Sequence, residues 1–318
     1  MGSRCVNRKQ KMLLASIILI CIIGAGFAAF SVTTPKSDKL TLVATFYPLA
    51  YLSQEIGGDQ IQVTQLIPSN TEIHSWEPSA SNIVAAEDAD VIVYNGAGAD
   101  HWMEDDVLPA FSTAKTRTVV DSTAGLQLLL GGEHEAGEEE HGLYDPHTWI
   151  SPYMAKLQAE KIYDALVQVD PQHESYYTQR WLDLESRLDQ LDNDYLTGLA
   201  NASKDSIFVS HAAFGYLASR YGFEQHGVIG LSADEQPSAS IIANLVSEME
   251  EHQTYVVYVD PVYSSEYAQT IQSEVQAQTG YSVTILELYL MLGPTDNMDF
   301  LQQMQTNLVN LKIGLEAT

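Results

Sequence analysis

Cysteine is almost missing from this sequence. Its 318 residues include two cysteines, Cys5 and Cys21, and both lie before residue 40. The rest of the chain therefore forms no disulfide and offers no thiolate, so a metal site there must use histidine, carboxylate or water. Three hydrolase motifs are missing as well: H-E-x-x-H, H-x-H and G-x-S-x-G around a serine. Their absence argues against a zinc protease or a serine hydrolase.

Basic residues are scarce too. The chain has 15 lysines and arginines against 42 aspartates and glutamates, for a net charge of −27. Six of the basic residues precede residue 40, so the remainder carries nine basic and 41 acidic side chains. Such a charge repels nucleic acid and anionic membrane surfaces and concentrates cations, so we expect no nucleic-acid partner. Acidity also keeps proteins soluble in salty media, and charge alone does not separate these two explanations.

The N-terminal segment has the pattern of an export signal. Four basic residues lie within the first 11, and the 19 residues from 12 to 30 carry no charge. This pattern predicts a secretory signal peptide, or an uncleaved membrane anchor because the apolar run is long enough to span a bilayer. The basic flank predicts that the rest of the chain is extracytoplasmic, either secreted or anchored to the outer face of the cytoplasmic membrane. Cys21 is a poor site for lipid attachment because bulky residues precede it.

Hydrophobic patterning predicts an α/β fold. Short apolar runs such as 40–45 and 91–94 alternate with helical segments, which favours mainly parallel sheets flanked by helices. Between Pro171 and Leu199 the apolar residues recur at three- and four-residue spacing, which predicts one long amphipathic helix. We therefore expect two α/β lobes joined by one long rigid α-helix.

The same patterning predicts the domain boundaries. Residues 1–39 form the signal peptide or membrane anchor with a polar linker. Residues 40–170 form an N-terminal lobe that contains an acidic histidine loop at 131–143. Residues 171–200 form the linking helix, and residues 201–318 form the C-terminal lobe. A cleft between the two lobes is the expected place for a ligand.

Three histidines stand at corresponding places in the two predicted lobes. His74 follows the second predicted strand, His147 precedes a helix, and His211 lies where a strand ends and a helix begins. In open α/β sheets ligands bind at the carboxyl ends of strands, so these imidazoles can converge on a cleft between the lobes. Three imidazoles with one oxygen donor suit Zn²⁺, whereas more oxygen donors favour Mn²⁺. A lone histidine at such a place is usually a capping residue, but three in corresponding places favour a metal site.

The chain from Leu40 to Leu315 resembles the metal-binding subunits of ABC importers for zinc and manganese, the ZnuA-like or cluster A-I solute-binding proteins. The segment "ATFYPLAYLSQEIGGD" is similar to the first strand and helix of that family. The segments "TEIHSWEPS", "DPHTWISP" and "FVSHAAFGYLASRYGFEQHGVIGLSADEQPS" resemble its three ligand motifs. The resemblance implies that His74, His147 and His211 are three histidine ligands. It also favours zinc, because manganese-type members commonly have glutamate in place of the third histidine.

The fourth ligand position departs from the family pattern. The family often has aspartate in an L-D-P-like stretch near the end, where this chain reads "ILELYLMLG". The resemblance implies Glu287 as the substitute, since it keeps the carboxylate with a side chain one methylene longer. Glu72, two residues before His74, and a water molecule are the alternatives.

An acidic segment precedes the Asp-Pro-His motif. It reads "EHEAGEEEH" and contains His134 and His141. Zinc-type members of the family have a loop rich in histidine and acidic residues at this place, which implies that these two histidines capture zinc weakly and concentrate it near His147. A purely solvated run of charge explains the same segment, and the sequence leaves both interpretations open.

Together these features predict a zinc-binding protein that is not an enzyme. The resemblance implies that it captures Zn²⁺ outside the cell and delivers it to an ABC permease driven by a cytoplasmic ATPase. We expect a monomer that contacts the membrane through its N-terminal segment. The alternatives are the same fold binding Mn²⁺ or Fe²⁺, a secreted zinc hydrolase whose open metal position activates water, and a cell-surface adhesive or scaffold protein. The other histidines are expected to be surface or capping residues, namely His101, His173, His226 and His252.

Overall fold

Two four-stranded parallel sheets organise the fold. This computed structural model describes residues 39–112, 115–131, 143–229 and 239–318. The strands of the first sheet are β1 (Leu40–Ala44), β2 (Ile61–Gln65), β3 (Val91–Tyr94) and β4 (Thr118–Asp121), and those of the second are β5 (Ser206–His211), β6 (Glu224–Ile229), β7 (Val256–Val259) and β8 (Thr284–Glu287). The two sheets share one strand order, β2-β1-β3-β4 and β6-β5-β7-β8, with parallel pairing between neighbours. The predicted two-lobed α/β fold is confirmed.

The central strands are buried on both faces. All four residues of β3 and all six of β5 are buried, whereas β2 at a sheet edge alternates between more and less exposed residues. Helices cover both faces of a parallel sheet, which explains the continuous apolar run Val-Ile-Val-Tyr in β3. His211, the last residue of β5, is therefore buried with the rest of its strand.

Helices connect the strands and flank the sheets. The longer ones are α1 (Tyr47–Gly57), α2 (Ala80–Asp88), α3 (Pro152–Val169), α4 (Glu174–Leu199), α5 (Gly215–Tyr221), α6 (Ala239–Glu251), α7 (Glu266–Thr279) and α8 (Phe300–Gly314). Short helical segments lie at Gly58–Gln60, Met103–Val107, Leu108–Ala110, Thr148–Ile150 and Pro171–His173. A capping box opens α2, because the side chain of Ser79 accepts a hydrogen bond from the backbone N–H of Asn82 and the side chain of Asn82 accepts one from the backbone of Ser79.

Two local features differ from the sequence prediction. Strand β4 was not predicted, since it is a short strand at the edge of its sheet in which only one residue, Val120, is buried. The sequence pattern predicts a terminal helix from Asp296 to about Leu315, whereas helix α8 begins later, at Phe300. Asp296 and Asn297 have φ values of 53° and 61°, which places them in a turn, and the side chain of Asp299 then caps the helix.

Helix α4 packs against both lobes. It has 26 residues and is therefore about 39 Å long. Trp181 stacks on Tyr163 of α3 with ring centroids 5.8 Å apart, and the hydroxyl of Tyr195 donates to the carbonyl of Met304 in α8 at 2.6 Å. One contiguous hydrophobic cluster contains core residues from both lobes and from α4. The predicted long linking helix is confirmed.

Several sequence predictions concern residues that the structure does not describe. The signal peptide or anchor, Cys21 within it, and His134 and His141 of the acidic loop all lie outside the described residues. In the part of the chain that is described, no helix is long and apolar enough to cross a bilayer. The predicted domain boundaries stay predictions.

Asp100 is a buried carboxylate in the first lobe. Its oxygens accept hydrogen bonds from the Thr45 hydroxyl at 2.7 Å and from the backbone N–H groups of Asn95 and Gly96 at 2.7 and 2.9 Å. Burial raises the pKa of Asp100 from 3.8 to about 6, although these hydrogen bonds act in the opposite direction. The folded state therefore holds this proton more tightly than the unfolded chain does. The contribution of protonated Asp100 to the free energy of unfolding is fully present below about pH 4. It is lost as the pH rises through about 6.

We therefore expect the stability of the wild type relative to Asp100→Asn to fall by up to about 3 kcal/mol between about pH 4 and pH 7. Urea unfolding of both proteins at several pH values measures this difference. Because asparagine does not titrate, the comparison isolates the Asp100 carboxyl group. A difference that stays constant with pH would show that burial does not raise this pKa.

Candidate metal centre

Three histidine rings meet between the two lobes. Nε2 of His147 lies 3.1 Å from Nε2 of His74 and 3.1 Å from Nε2 of His211. One ring nitrogen from each histidine lies within 4.8 Å of the other two. His147 and His211 are buried, and the side chain of His74 is 6% exposed. Among the described residues, this is the one group of three or more histidine, cysteine or acidic side chains close enough to share a metal ion.

Secondary structure places each ring. His211 is the last residue of the buried strand β5, so it stands at the carboxyl edge of the second sheet. His147 directly precedes the 3₁₀ turn Thr148–Ile150, which leads into α3. His74 lies in the loop between β2 and α2. The three histidines thus come from a strand end, a helix start and a loop, contributed by both lobes.

Asp145 orients the ring of His147. Its Oδ1 lies 2.8 Å from Nδ1 of His147 and 2.9 Å from the backbone nitrogen of the same residue. An ionised carboxylate only accepts hydrogen bonds, so Nδ1 carries the proton and Nε2 presents its lone pair to the other two rings. Carboxylate partners of this kind fix the tautomer and the orientation of metal-binding histidines.

A buried amide network supports the backbone beside His147. Nδ2 of Asn95 donates to the carbonyl of Pro146 at 2.9 Å. Nε2 of Gln158 in turn donates to Oδ1 of Asn95 at 2.9 Å and to the hydroxyl of Ser122 at 2.8 Å. All three polar side chains are buried, so their hydrogen bonds hold one arrangement with little competition from water.

The second lobe contacts the same segment. The hydroxyl of Tyr216 donates to the carbonyl of Asp145 at 2.7 Å. A Cβ atom on Gly215 would lie 2.5 Å from Oδ2 of Asp145, so this close approach of the two lobes requires glycine. The residues that orient His147 are therefore held by both lobes.

The two carboxylates considered as a fourth ligand are placed differently. Oε1 of Glu72 accepts a hydrogen bond from the backbone N–H of His74 at 3.0 Å and lies 4.0 Å from Nε2 of that histidine. Oε2 of Glu72 accepts a hydrogen bond from the hydroxyl of Tyr263. Glu287 is exposed at the end of β8 and accepts a hydrogen bond from the Tyr289 hydroxyl at 2.5 Å. Neither carboxylate belongs to the close group of three histidines, and the fourth ligand stays a prediction.

Three residues beside the site had no predicted role, namely Asp145, Asp260 and Tyr263. Asp145 stands two residues before His147, and Asp260 directly follows β7 at the carboxyl edge of its sheet. Those two positions were signals that sequence reasoning could have used, because ligands bind at such edges. Tyr263 gave no signal, since its partner Glu72 lies 191 residues away along the chain.

The other described histidines are not part of this group. His101 is exposed, and Nδ1 of His173 lies 2.6 Å from Oδ2 of Asp170, next to the start of α4. His226 and His252 lie in the second lobe, with ring centroids 5.1 Å apart.

Two parallel α/β lobes joined by one long helix, with histidines converging between the lobes, define the helix-linked class of metal-binding solute-binding proteins. Residues 42–314 match the family model described as ZnuA, zinc-uptake complex component A, periplasmic. The chain therefore belongs to the ZnuA family.

Characterised relatives agree with this assignment. High-affinity zinc uptake system protein ZnuA of Bacillus subtilis (strain 168) is 35% identical over 252 residues, which cover 77% of this chain and 78% of that protein. Zinc-binding lipoprotein AdcA of Streptococcus pneumoniae (strain ATCC BAA-255 / R6) is 32% identical over 278 residues, which cover 86% of this chain and 54% of AdcA. This chain thus spans about half the length of AdcA. The crystal structure of the Zn(II)-bound ZnuA-like domain of S. pneumoniae AdcA matches with a TM-score of 0.74 and 30% identity, covering 87% of this chain and 99% of that domain.

Proposed function

We propose that this protein captures Zn²⁺ outside the cytoplasmic membrane and delivers it to an ABC importer. The observation that carries the proposal is the convergence of His74, His147 and His211, whose ring nitrogens lie within 4.8 Å of one another. Neutral imidazole nitrogen is a preferred ligand of Zn²⁺, and three such ligands form most of a tetrahedral site. The names of the relatives, a zinc uptake system protein and a zinc-binding lipoprotein, support zinc as the cargo.

The donor set favours zinc over Mn²⁺. Mn²⁺ prefers carboxylate, carbonyl and water oxygens as ligands, whereas three imidazole nitrogens suit Zn²⁺. We propose Glu287 as the fourth ligand, with Glu72 or a water molecule as alternatives. Glu287 ends β8 in the sheet whose strand β5 ends at His211, and Glu72 lies beside His74.

Transport requires release as well as capture. Helix α4 packs against both lobes, so we infer that the lobes keep their separation and that loops near the histidines move when metal leaves. Protons compete with zinc for imidazole nitrogen, so affinity falls as the medium becomes acidic.

The partners follow from this role. We propose that the protein acts as a monomer, contacts the membrane through its N-terminal segment, and passes zinc to a permease driven by a cytoplasmic ATPase. It catalyses no reaction in this scheme. His134 and His141 of the acidic segment would hold zinc more weakly than the central histidines, because two imidazoles supply fewer nitrogen ligands than three.

Calorimetric titration with Zn²⁺ and Mn²⁺ in parallel tests the proposal. We expect the wild type to bind one Zn²⁺ tightly and Mn²⁺ far more weakly, and His211→Ala to lose the tight zinc site. His101→Ala removes an exposed histidine outside the site and serves as the matched control. A variant without residues 131–143 is expected to lose only weak additional binding. Unchanged zinc binding by His211→Ala would show that the ligand assignment is wrong.

A further inference from the structure

Asp260 is a buried carboxylate next to the site but outside the histidine group. It is 3% exposed and directly follows β7. Its Oδ1 accepts a hydrogen bond from the backbone N–H of Val262 at 2.7 Å, and its Oδ2 accepts one from the backbone N–H of Leu290. The Asp260 side chain thus joins the segment after β7 to the segment after β8.

One arm of contacts runs from Asp260 to the loop that carries His74. Asp260 Oδ1 holds the backbone N–H of Val262, within a turn in which the backbone N–H of Tyr263 donates to the main-chain carbonyl of Asp260 at 3.0 Å. The Tyr263 hydroxyl then donates to Glu72 in the first lobe. Glu72 accepts a hydrogen bond from the backbone N–H of His74 at 3.0 Å. This arm therefore crosses from the second lobe to the first and ends on the backbone of a proposed ligand.

A second arm runs from Asp260 to the turn that carries His147. The carbonyl of Leu290 accepts a hydrogen bond from Nε1 of Trp149 at 2.9 Å. Trp149 is buried, and its ring lies 5.3 Å from the ring of His147, centroid to centroid. Both arms thus start at Asp260, and each ends at a different histidine.

We propose that Asp260 is a positioning residue that ties the His74 loop and the His147 turn to one point of the second lobe, so that loss of this tie speeds the release of zinc. The inference rests on the proposed function. Asp260 does not contact the metal in this scheme. It sets where Tyr263 and Leu290 stand, and through them it keeps two ligands of the first lobe facing His211. Supporting residues of metal ligands commonly affect metal affinity in this indirect way.

The test measures zinc release from the full-length protein by stopped-flow mixing with excess chelator, and zinc association in a separate experiment. We expect Asp260→Asn and Tyr263→Phe each to raise the release rate about tenfold, the effect of losing one hydrogen bond to a charged group. Association should change by less than about twofold, because the route into the cleft is unaltered. The double variant should release zinc no faster than Asp260→Asn alone, since loss of the Asp260 carboxylate loosens both arms and Tyr263→Phe interrupts only one of them.

Tyr258→Phe is the matched control. Its hydroxyl donates to the carbonyl of Asn310 at 3.2 Å, in the same lobe but outside both arms. We expect this control to lower the melting temperature of the metal-free protein without changing zinc release. Asp260→Asn and Tyr263→Phe variants that lower the melting temperature but release zinc at the wild-type rate would overturn the proposal, as would multiplicative effects in the double variant. Failure of the wild type to bind zinc would instead overturn the proposed function.

Discussion

Saturating Zn²⁺ is expected to raise the free energy of unfolding of the wild type by about 4 kcal/mol when free zinc is about a thousand times its Kd. In His147→Ala we expect only about 0.4–1.4 kcal/mol of this gain at the same zinc concentration. A four-ligand zinc site binds with about 10–16 kcal/mol, so one ligand accounts for about 3–4 kcal/mol, or two to three orders of magnitude in Kd. His147 is the central histidine of the group, because its Nε2 lies 3.1 Å from Nε2 of each of the other two.

Urea unfolding with saturating Zn²⁺ and again with excess chelator measures the difference in the free energy of unfolding. His101→Ala, which removes an exposed histidine outside the group, should keep the whole of it. In the metal-free state His147→Ala should be less stable than the wild type, because the buried carboxylate of Asp145 loses the ring that it holds at 2.8 Å. If zinc raised the free energy of unfolding of His147→Ala by about 4 kcal/mol, His147 would not be a zinc ligand.

Tyr195→Ala is expected to lower the free energy of unfolding by about 3–5 kcal/mol, the usual cost of deleting a large buried aromatic ring. Tyr195 is fully buried on α4, and its ring lies 4.9 Å from that of Tyr221 in the second lobe. The substitution leaves a cavity and also leaves the carbonyl of Met304 without its hydrogen-bond donor. Urea unfolding in the absence of zinc measures the loss.

Two further variants separate the causes. Tyr195→Phe keeps the ring and removes only the hydroxyl, so we expect a loss of about 1 kcal/mol. Leu196→Ala changes the next residue of the same helix, which is 43% exposed, and should cost less than about 1 kcal/mol. If Tyr195→Ala were no less stable than Leu196→Ala, the buried face of α4 would not be part of the core.

Periodicity predicted the larger elements of the fold well. The spacing of apolar residues placed a helix at 171–199, and the structure has a 3₁₀ turn at Pro171–His173 followed by α4 at Glu174–Leu199. A long amphipathic helix repeats its pattern over many turns, so the signal is strong. Strand β4 has only four residues at a sheet edge, and so short a segment carries too few buried positions to show a pattern.

The site was partly visible in the sequence for a similar reason. His74, His147 and His211 stand at element ends, which sequence patterning can locate. Their surroundings depend on contacts between distant segments: Tyr263 meets Glu72 across 191 positions, and Trp149 meets Leu290 across 141. No local pattern encodes such pairs, because they exist only once the two lobes are packed together.

The shared core around α4 has a consequence for how the chain folds. One hydrophobic cluster includes Leu49 of the first lobe, Leu301 of the second and the buried face of α4, so the two lobes share part of their core. A fragment that ends at residue 200 would leave in water the apolar surface of α4 that packs against α8, and a fragment that begins there would lack α4 itself. We therefore expect the two lobes to unfold together, even though their sheets are separate.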